Sequence, residues 1–277
     1  MRKNFFLYST LLVFLAFFLF YSGRSVCIST VTSNSGFSKE FYYFSPDSPQ
    51  SNLGQLKSEF ETYFSNNNFS YNFQPFTHFV DFHRLSTERR PSFILVPAWY
   101  VRKYGKELGL HPILVEVRNG STSYKKILLV SKTSPAELHD NDIVPLAMTS
   151  MGPNDQTPAI KELAASHLIN VQQLNIINVP KDLDAILALV LGQVKMALVA
   201  QDNLQIISSV NPRITQAIQK LDKSITVSMP VLCYLEGRVG SDDVEKLVNT
   251  FKRMTTEKPR NKIMEMLQID DWQTVTK

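Results

Sequence analysis

Residues 110–150 read LHPILVEVRNGSTSYKKILLVSKTSPAELHDNDIVPLAMTS, and this stretch decides the fold. It contains three apolar runs, at residues 111–117, 126–130 and 143–148. A polar turn at Asn119-Gly120-Ser121 separates the first two runs, and Ser134-Pro135 marks a helix start before the third. The third run ends at Thr149-Ser150. The order of strand, crossover, strand, short helix, strand and loop is typical of an α/β fold in which one strand passes between two lobes.

The same alternation of strands and helices continues on both sides of this stretch. Strands are predicted at residues 40–44, 70–74, 92–96, 173–179, 195–200 and 225–231. Helices are predicted over residues 53–64, 78–86, 157–164, 183–191, 211–221, 241–254 and 259–267. The chain thus returns by a second crossover strand, residues 225–231, before its last helices.

Three pieces of sequence follow one another in a characteristic order. The first is the pattern L-x-P-I, G-x-x-x-Y-K and L-L-V-S-K-x-S within residues 110–134. The second is DAILALVLGQVKMALV at residues 184–199, and the third is SMPV at residues 228–231. Together they resemble the phosphonate-binding (PhnD-like) family of periplasmic solute-binding proteins of ABC transporters, and the resemblance covers roughly residues 37–271.

The resemblance implies an α/β, two-lobe clamshell of the type II periplasmic-binding-protein class, with two hinge crossovers. Lobe 1 is then expected to comprise residues 37–123 and 230–277, and lobe 2 residues 124–229. The expected partners are a small anionic, phosphonate-like or phosphate-like solute and either the membrane permease of an ABC transporter or a membrane sensor. Lobe closure around the ligand would be a population shift driven by contacts to both lobes.

The N-terminus predicts export. Arg2 and Lys3 precede an apolar run over residues 5–21, and small residues follow. This is typical of a secretory signal, residues 1–25, although the length also fits an uncleaved membrane anchor. A Ser- and Thr-rich linker, residues 26–36, comes next. The expected localisation is therefore periplasmic, with membrane anchoring as the alternative.

Composition excludes some classes of function. Residues 1–25 hold three basic and no acidic residues, so their removal lowers the net charge from +4 to +1, which gives no electrostatic basis for binding nucleic acid. The two cysteines, Cys27 and Cys233, could form a disulfide in an oxidising compartment, but two unpaired thiols are the preferred interpretation. No cofactor is expected.

The candidate ligand loop follows the third apolar run. Thr149 and Ser150 offer hydroxyl groups at the carboxyl end of a strand, and Gly152 allows close approach of the backbone. Thr157 is the predicted N-cap of the next helix, whose N-terminal N–H groups favour an anion. The alternative is a polar loop that only closes a strand. Asp155, near the helix start, would repel an anion.

Other candidate ligand-binding residues lie outside this loop. Tyr124 in the first crossover, and Trp99 and Tyr100 after a strand of lobe 1, could form amphipathic walls of the cleft, or could pack in the core or at its rim. Ser45 follows the first strand. Gln201, Asp202 and Asn203 follow a strand of lobe 2 and could recognise an ammonium or hydroxyl group, or could be plain loop residues.

Sequence signatures of enzymes are absent. The chain contains no GxSxG, GxxxxGK, HExxH or CxxC motif, and we expect neither catalytic residues nor a metal site. The sequence therefore predicts a non-enzymatic, exported solute-binding protein. The alternative is the same fold with a degenerate cleft that acts as a sensor or accessory interaction subunit.

Overall fold

The computed structural model describes residues 39–50, 52–132, 143–152, 160, 162–163, 174–257 and 261–275. The predicted signal or anchor, the linker, Cys27, Ser134-Pro135, Asp155 and Thr157 lie outside the described residues. Both sheets of the protein belong to one compact unit, Phe37–Lys277. Within the described part, no helix combines the length and the apolar character needed to cross a bilayer.

The described elements alternate along the chain. The strands are β1 Glu40–Tyr43, β2 Asn72–Pro75, β3 Phe93–Val96, β4 Leu110–Val117, β5 Ser123–Ser131, β6 Val144–Thr149, β7 Leu174–Val179, β8 Met196–Ala200, β9 Ile218–Ser228, β10 Val231–Leu235 and β11 Asp271–Thr274. The helices are α1 Leu53–Asn66, α2 Phe79–Arg89, α3 Ala98–Leu108, α4 Asp182–Val190, α5 Gln201–Val210, α6 Pro212–Gln216, α7 Ser241–Met254 and α8 Lys262–Leu267.

The strands form two sheets. A six-stranded sheet has the order β11-β4-β10-β3-β1-β2, and a five-stranded sheet has the order β7-β6-β8-β5-β9. β1 pairs in parallel with β2 and β3, and β6 pairs in parallel with β7 and β8, so the carboxyl ends of these neighbours lie at the same sheet edge. The α/β, two-sheet architecture predicted from the sequence is confirmed.

Each sheet is covered on both faces, which follows from the alternation of side chains along a strand. Phe41 and Tyr43 of β1 pack in one aromatic cluster with α1 and α7, and Tyr42 and Phe44 pack in another with α2 and α3. In the first cluster Phe60 stacks on Phe73 with ring centroids 4.0 Å apart. Complete burial of a phenylalanine side chain contributes about 1.5–3 kcal/mol of hydrophobic stabilisation.

Two short connections join the sheets. Residues 118–122 lead from β4 to β5, and residues 229–230 lead from β9 back to β10. Met229 N of the second connection donates to Thr122 O of the first at 2.8 Å. Glu116 N, at the end of β4, donates to Pro230 O of the second connection at 3.1 Å. Both crossovers expected from the sequence are therefore present, with different bounds. Tyr124, expected in the first crossover, lies in β5, and the strand expected at residues 225–231 is divided between β9 and β10. The boundaries of two separate lobes remain a prediction.

Three predictions of secondary structure are corrected. No helix was predicted directly after the strand of residues 92–96, but Pro97 is the N-cap of α3. Residues 201–203 begin helix α5 instead of a loop. The helix predicted over residues 211–221 ends at Gln216, because from Ile218 onward the chain pairs with β5 as strand β9. In that segment hydrogen bonding to a neighbouring strand outweighs helical spacing of apolar residues.

Candidate anion site between the two sheets

The carboxylate of Asp47 lies where the two sheets meet. Asp47 belongs to the loop after β1, and the Ser48 N–H donates to the Ser45 carbonyl at 3.2 Å, which closes this loop into a turn. The side chain extends from the six-stranded sheet to residues of the five-stranded sheet and is only 11% exposed. Asp47 is therefore shared by both sheets.

Three donors of the five-stranded sheet contact this carboxylate. Lys126 Nζ lies 2.8 Å from Oδ1 of Asp47. The Thr149 hydroxyl also donates to Oδ1, and the Tyr124 hydroxyl donates to Oδ2. Lys126 and Thr149 are fully buried. We call Lys126, Thr149 and Tyr124 the anion cradle, because together they offer one cation and two hydroxyl donors to one anionic group.

Local structure explains how these three side chains meet. Tyr124 and Lys126 are two residues apart on β5, which places their side chains on the same face of the strand. Thr149 is the last residue of β6. Its hydroxyl accepts a hydrogen bond from Lys126 Nζ at 2.5 Å. Thr149 thus orients the ammonium group and still has its own proton to donate.

A second carboxylate, Asp182, lies on the other side of the Lys126 ammonium group. Asp182 Oδ1 is 3.8 Å from Lys126 Nζ, and Oδ2 accepts hydrogen bonds from Ala200 N at 2.9 Å and Asn203 Nδ2 at 2.7 Å. Burial raises the pKa of Asp182 to about 6, Lys126 opposes this shift, and Asp47 adds to it. Lys126 therefore faces two carboxylates, that of Asp47 in the loop after β1 and that of Asp182 at the start of α4.

Further contacts hold the Asp47 loop against the five-stranded sheet. Asn203 Nδ2 donates to the Asp47 carbonyl at 3.1 Å. Lys181 Nζ donates to the carbonyls of Ser45 and Gln50 at 3.5 and 3.3 Å. Burial lowers the pKa of Lys181, whereas the nearby carboxylates oppose that shift. The loop is thus bound by its backbone as well as by the Asp47 side chain.

Arg118 connects the crossover to both parts of the fold. Its guanidinium group donates to the carbonyls of Leu267 and Gln268, at 3.1 and 2.9 Å, and lies 3.5 Å from the Asp202 carboxylate. Glu116, two residues earlier, is buried, and this burial raises its pKa to about 8, although Arg118 opposes the shift. Ionisable groups are thus buried next to the first crossover too.

Little free space surrounds Asp47. The cavity bordered by Tyr43, Asp47, Glu116 and Tyr124 has a volume of about 10 Å³, which holds one water molecule at most. A separate groove of 670 Å³ opens beside the loop, between Ser48-Pro49 and helices α4 to α6. The anion cradle is closed in this structure, and Asp47 is its occupant.

Several residues predicted from the sequence meet at Asp47. Thr149 and Tyr124 contact its carboxylate directly, and Ser45 lies in the same loop. Ser150 is half-buried and follows Thr149. Gly152, nearby in the chain, has a positive φ of 107°, a conformation that glycine adopts without strain. Thr157 lies outside the described residues.

The structure places Trp99 and Tyr100 away from the cradle, which corrects the expectation that they form walls of the cleft. Both lie on α3, and both pack in the aromatic cluster of Tyr42 and Phe44. Tyr100 is fully buried, and its hydroxyl is 3.1 Å from Nδ1 of His83. The physical reason is that α3 begins directly after Pro97 and turns both rings onto the sheet.

Gln201 and Asp202 are the first residues of α5 and lie at different places. Gln201 Oε1 is 3.5 Å from Lys220 Nζ of β9. Asp202 faces Arg118 at the crossover. Neither contacts the Asp47 carboxylate, whereas the following residue, Asn203, contacts the Asp47 carbonyl.

Sequence reasoning missed Asp47, Lys126 and Asp182 as site residues. Lys126 carried a usable signal, because it directly precedes the apolar residues ILLV and shares its strand face with Leu128 and Val130, which are core residues. Asp47 and Asp182 follow β1 and β7 at their carboxyl ends, where open α/β sheets hold their ligands. The charge of Lys126 within an apolar strand is thus a sequence signal for a buried anionic partner.

Solved structures with the same fold include solute-binding proteins. A binding protein component of an ABC phosphonate transporter from Pseudomonas aeruginosa superposes with a TM-score of 0.68 at 14% identity, over 85% of this chain and 80% of that one. PhnD1 from Prochlorococcus marinus in complex with methylphosphonate gives 0.66 at 9% identity, over 85% and 92%. The substrate-binding protein of an amino acid ABC transporter gives 0.50 at 10% identity, over 82% and 97%. These likenesses show the fold, which is that of type II periplasmic binding proteins.

Sequence comparison identifies the family. No curated protein sequence matches this chain. A family model described as the phosphonate-binding periplasmic component of ABC transporters matches residues 42–277. This match includes all eleven described strands except the first two residues of β1. The chain belongs to the family of periplasmic substrate-binding proteins of phosphonate ABC transporters.

Proposed function

We propose that the protein is exported and captures a small oxyanion of the phosphonate or phosphate class between its two sheets, for delivery to an ABC permease. The protein would be non-enzymatic. Residues 1–25 would direct export as a signal or act as an anchor. The connections at residues 118–122 and 229–230 would be the hinge between two lobes.

The observation that carries this proposal is the anion cradle. Lys126, Thr149 and Tyr124 bind both oxygens of a carboxylate with one ammonium and two hydroxyl donors. A phosphonate or phosphate group presents oxygens of the same kind, and hydrogen bonds to charged groups contribute about 1.5–3 kcal/mol each. Buried donors that already hold one oxyanion are suited to hold another.

Two further observations support an oxyanion as ligand. The family to which the chain belongs is named for phosphonate, and PhnD1, which shares the fold, was solved with methylphosphonate. In addition, Lys126 and Thr149 come from strands on both sides of β8 in the same sheet. A ligand on these donors would lie next to the loop of the other sheet and would contact both lobes when they close. Ser150 and Gly152, which follow Thr149, are proposed to complete the ligand loop.

Capture of a ligand requires the cleft to open. The cavity of about 10 Å³ at the cradle is too small for a phosphonate group, so the described state does not admit one. Both crossovers are short and paired with each other by hydrogen bonds, which allows rotation of the two sheets about a common line. Contacts of the ligand to both lobes would then favour the closed state.

Isothermal titration calorimetry tests the proposal. The purified protein is titrated with methylphosphonate, phosphate, phosphite and sulfate, each at the same ionic strength. We expect saturable binding of at least one of these anions to one site. Lys126→Met should abolish this binding, and Lys125→Met, which changes the exposed neighbour on the same strand, should retain it. Absence of binding for all four anions would contradict the proposed function.

A further inference from the structure

We infer that Asp47 is an internal ligand: its carboxylate occupies the oxyanion site of the free protein and must leave before an external anion binds. This inference rests on the proposed function, because it concerns the same site. It identifies Asp47 as a residue that sets the affinity for external anions by competition.

The first argument is that Asp47 already accepts the hydrogen bonds that the anion cradle can donate. The Lys126 ammonium, the Thr149 hydroxyl and the Tyr124 hydroxyl are all directed at the Asp47 carboxylate. A hydroxyl group has one proton to donate. Thr149 and Tyr124 therefore cannot donate to Asp47 and to a bound anion at the same time.

The second argument is space and charge. The cavity beside Asp47, about 10 Å³, leaves no room for a phosphonate in addition to the carboxylate. An anion placed beside Asp47 would also be repelled by it in a site from which water is largely excluded. External anion and Asp47 carboxylate are thus alternative occupants of one place.

The third argument is that the charge of the Lys126 ammonium group remains compensated when Asp47 leaves. Asp182, the first residue of α4, lies 3.8 Å from Lys126 and accepts hydrogen bonds from Ala200 and Asn203. The buried ammonium group therefore keeps a counter-ion while the cleft is open. The Asp47 loop, in contrast, is held to the five-stranded sheet by contacts that separate with it, from Asn203 and Lys181.

The energetic consequence is a reduced apparent affinity. A ligand that binds only after Asp47 has left can bind only those molecules in which the cradle is free. Its apparent dissociation constant is therefore the intrinsic constant divided by the fraction of such molecules. The competition raises the apparent dissociation constant of every anion by the same factor, so an anion that binds weakly to the free cradle does not occupy the site at ordinary concentrations.

Removal of the internal carboxylate tests the inference. In Asp47→Ala the cradle keeps its three donors and loses their occupant. We expect Asp47→Ala to bind methylphosphonate at least about tenfold more tightly than the wild type, as when the competent fraction rises from about one tenth to nearly all molecules. We also expect acetate, which replaces the missing carboxylate, to raise the melting temperature of Asp47→Ala saturably and that of the wild type not at all.

Matched variants complete the test. Asp222→Ala changes an exposed aspartate of β9 and should behave as the wild type. Asp47→Asn keeps the size of the side chain and loses its charge, so it should also bind methylphosphonate more tightly than the wild type. If Asp47→Ala fails to fold even in acetate, the methylphosphonate affinities of Asp47→Asn and the wild type decide whether Asp47 is an internal ligand.

The outcomes separate this inference from the proposed function. Tighter binding or acetate stabilisation in an Asp47 variant supports the internal ligand even when the wild type binds none of the four anions, in which case the proposed function fails. Binding to the wild type that is unchanged or weakened in both Asp47 variants, with no response to acetate, overturns the internal ligand and leaves the proposed function standing.

Discussion

Nζ of Lys126 and Oδ1 of Asp47 lie 2.8 Å apart, although Lys126 belongs to the five-stranded sheet and Asp47 follows a strand of the six-stranded sheet. Lys126 is fully buried and also faces Asp182. One buried ammonium group thus faces two carboxylates, in the loop after β1 and at the start of α4, and it also belongs to the proposed ligand site. Its removal is therefore expected to affect both stability and binding.

Lys126→Met should destabilise the protein strongly. The variant leaves Asp47 and Asp182 buried close together without their common cation, and loss of one partner of a buried ion pair costs about 3–5 kcal/mol. Denaturation by urea at pH 7 measures this change. Lys125→Met, at an exposed position, should change the free energy of unfolding by less than about 0.5 kcal/mol. Equal stability of the two variants would contradict the burial of the ion pair.

A double-mutant comparison separates the effect of the Thr149 hydroxyl on ligand binding from the effect of competition by the Asp47 carboxylate. In the Asp47→Ala background, Thr149→Val should weaken methylphosphonate binding by about tenfold to a hundredfold, the value of one charge-assisted hydrogen bond. In the wild type the loss should be smaller, because Asp47 loses the same bond and competes less. Calorimetry of the four proteins gives both losses. Equal losses in the two backgrounds would show that Asp47 and the ligand use different donors.

The helices and strands of this fold could be predicted from the sequence better than the contacts between them. Helix α7, Ser241–Met254, has the predicted bounds, because Val244, Leu247, Val248 and Phe251 repeat at helical spacing. Thr149 and Tyr124, which contact Asp47, were predicted as candidate site residues because polar groups at strand ends and crossovers face a cleft in α/β folds. Such local patterns are contained in a few consecutive residues.

The residues that were missed depend on contacts distant in the chain. Asp47 and Lys126 are 79 positions apart and meet only when the sheets approach. Helix α3 was missed because Pro97, which often ends an element, is here the N-cap of a helix. Strand β9 was predicted in part as helix since its apolar residues fit both periods, and pairing with β5 decides between them.

Glu116→Gln should change the pH dependence of stability. The pKa of Glu116 is raised to about 8 by burial, against an unfolded value of about 4.3. The folded state thus binds the extra proton between these values, and stability should fall with rising pH in this window by up to about 1.4 kcal/mol per pH unit. Glu116→Gln removes this contribution. Unfolding measured from pH 5 to pH 9 should show a smaller decline for the variant, and equal slopes would contradict the raised pKa.

Phe60→Ala should destabilise the aromatic cluster of the six-stranded sheet. Phe60 is fully buried and stacks on Phe73, and truncation of a buried phenylalanine costs about 3–5 kcal/mol. Val80, which is 73% exposed, provides the control, and Val80→Ala should be nearly neutral. Urea denaturation measures both. A loss below about 1 kcal/mol for Phe60→Ala would contradict the close packing of this cluster.

The location of a bound anion tests the central claim most directly. We predict that a crystal structure of the protein with methylphosphonate shows phosphonate oxygens within hydrogen-bonding distance of Lys126 Nζ, Thr149 Oγ1 and Tyr124 OH, with the Asp47 carboxylate displaced from all three. A bound phosphonate at another place, with Asp47 still on Lys126, would contradict the account.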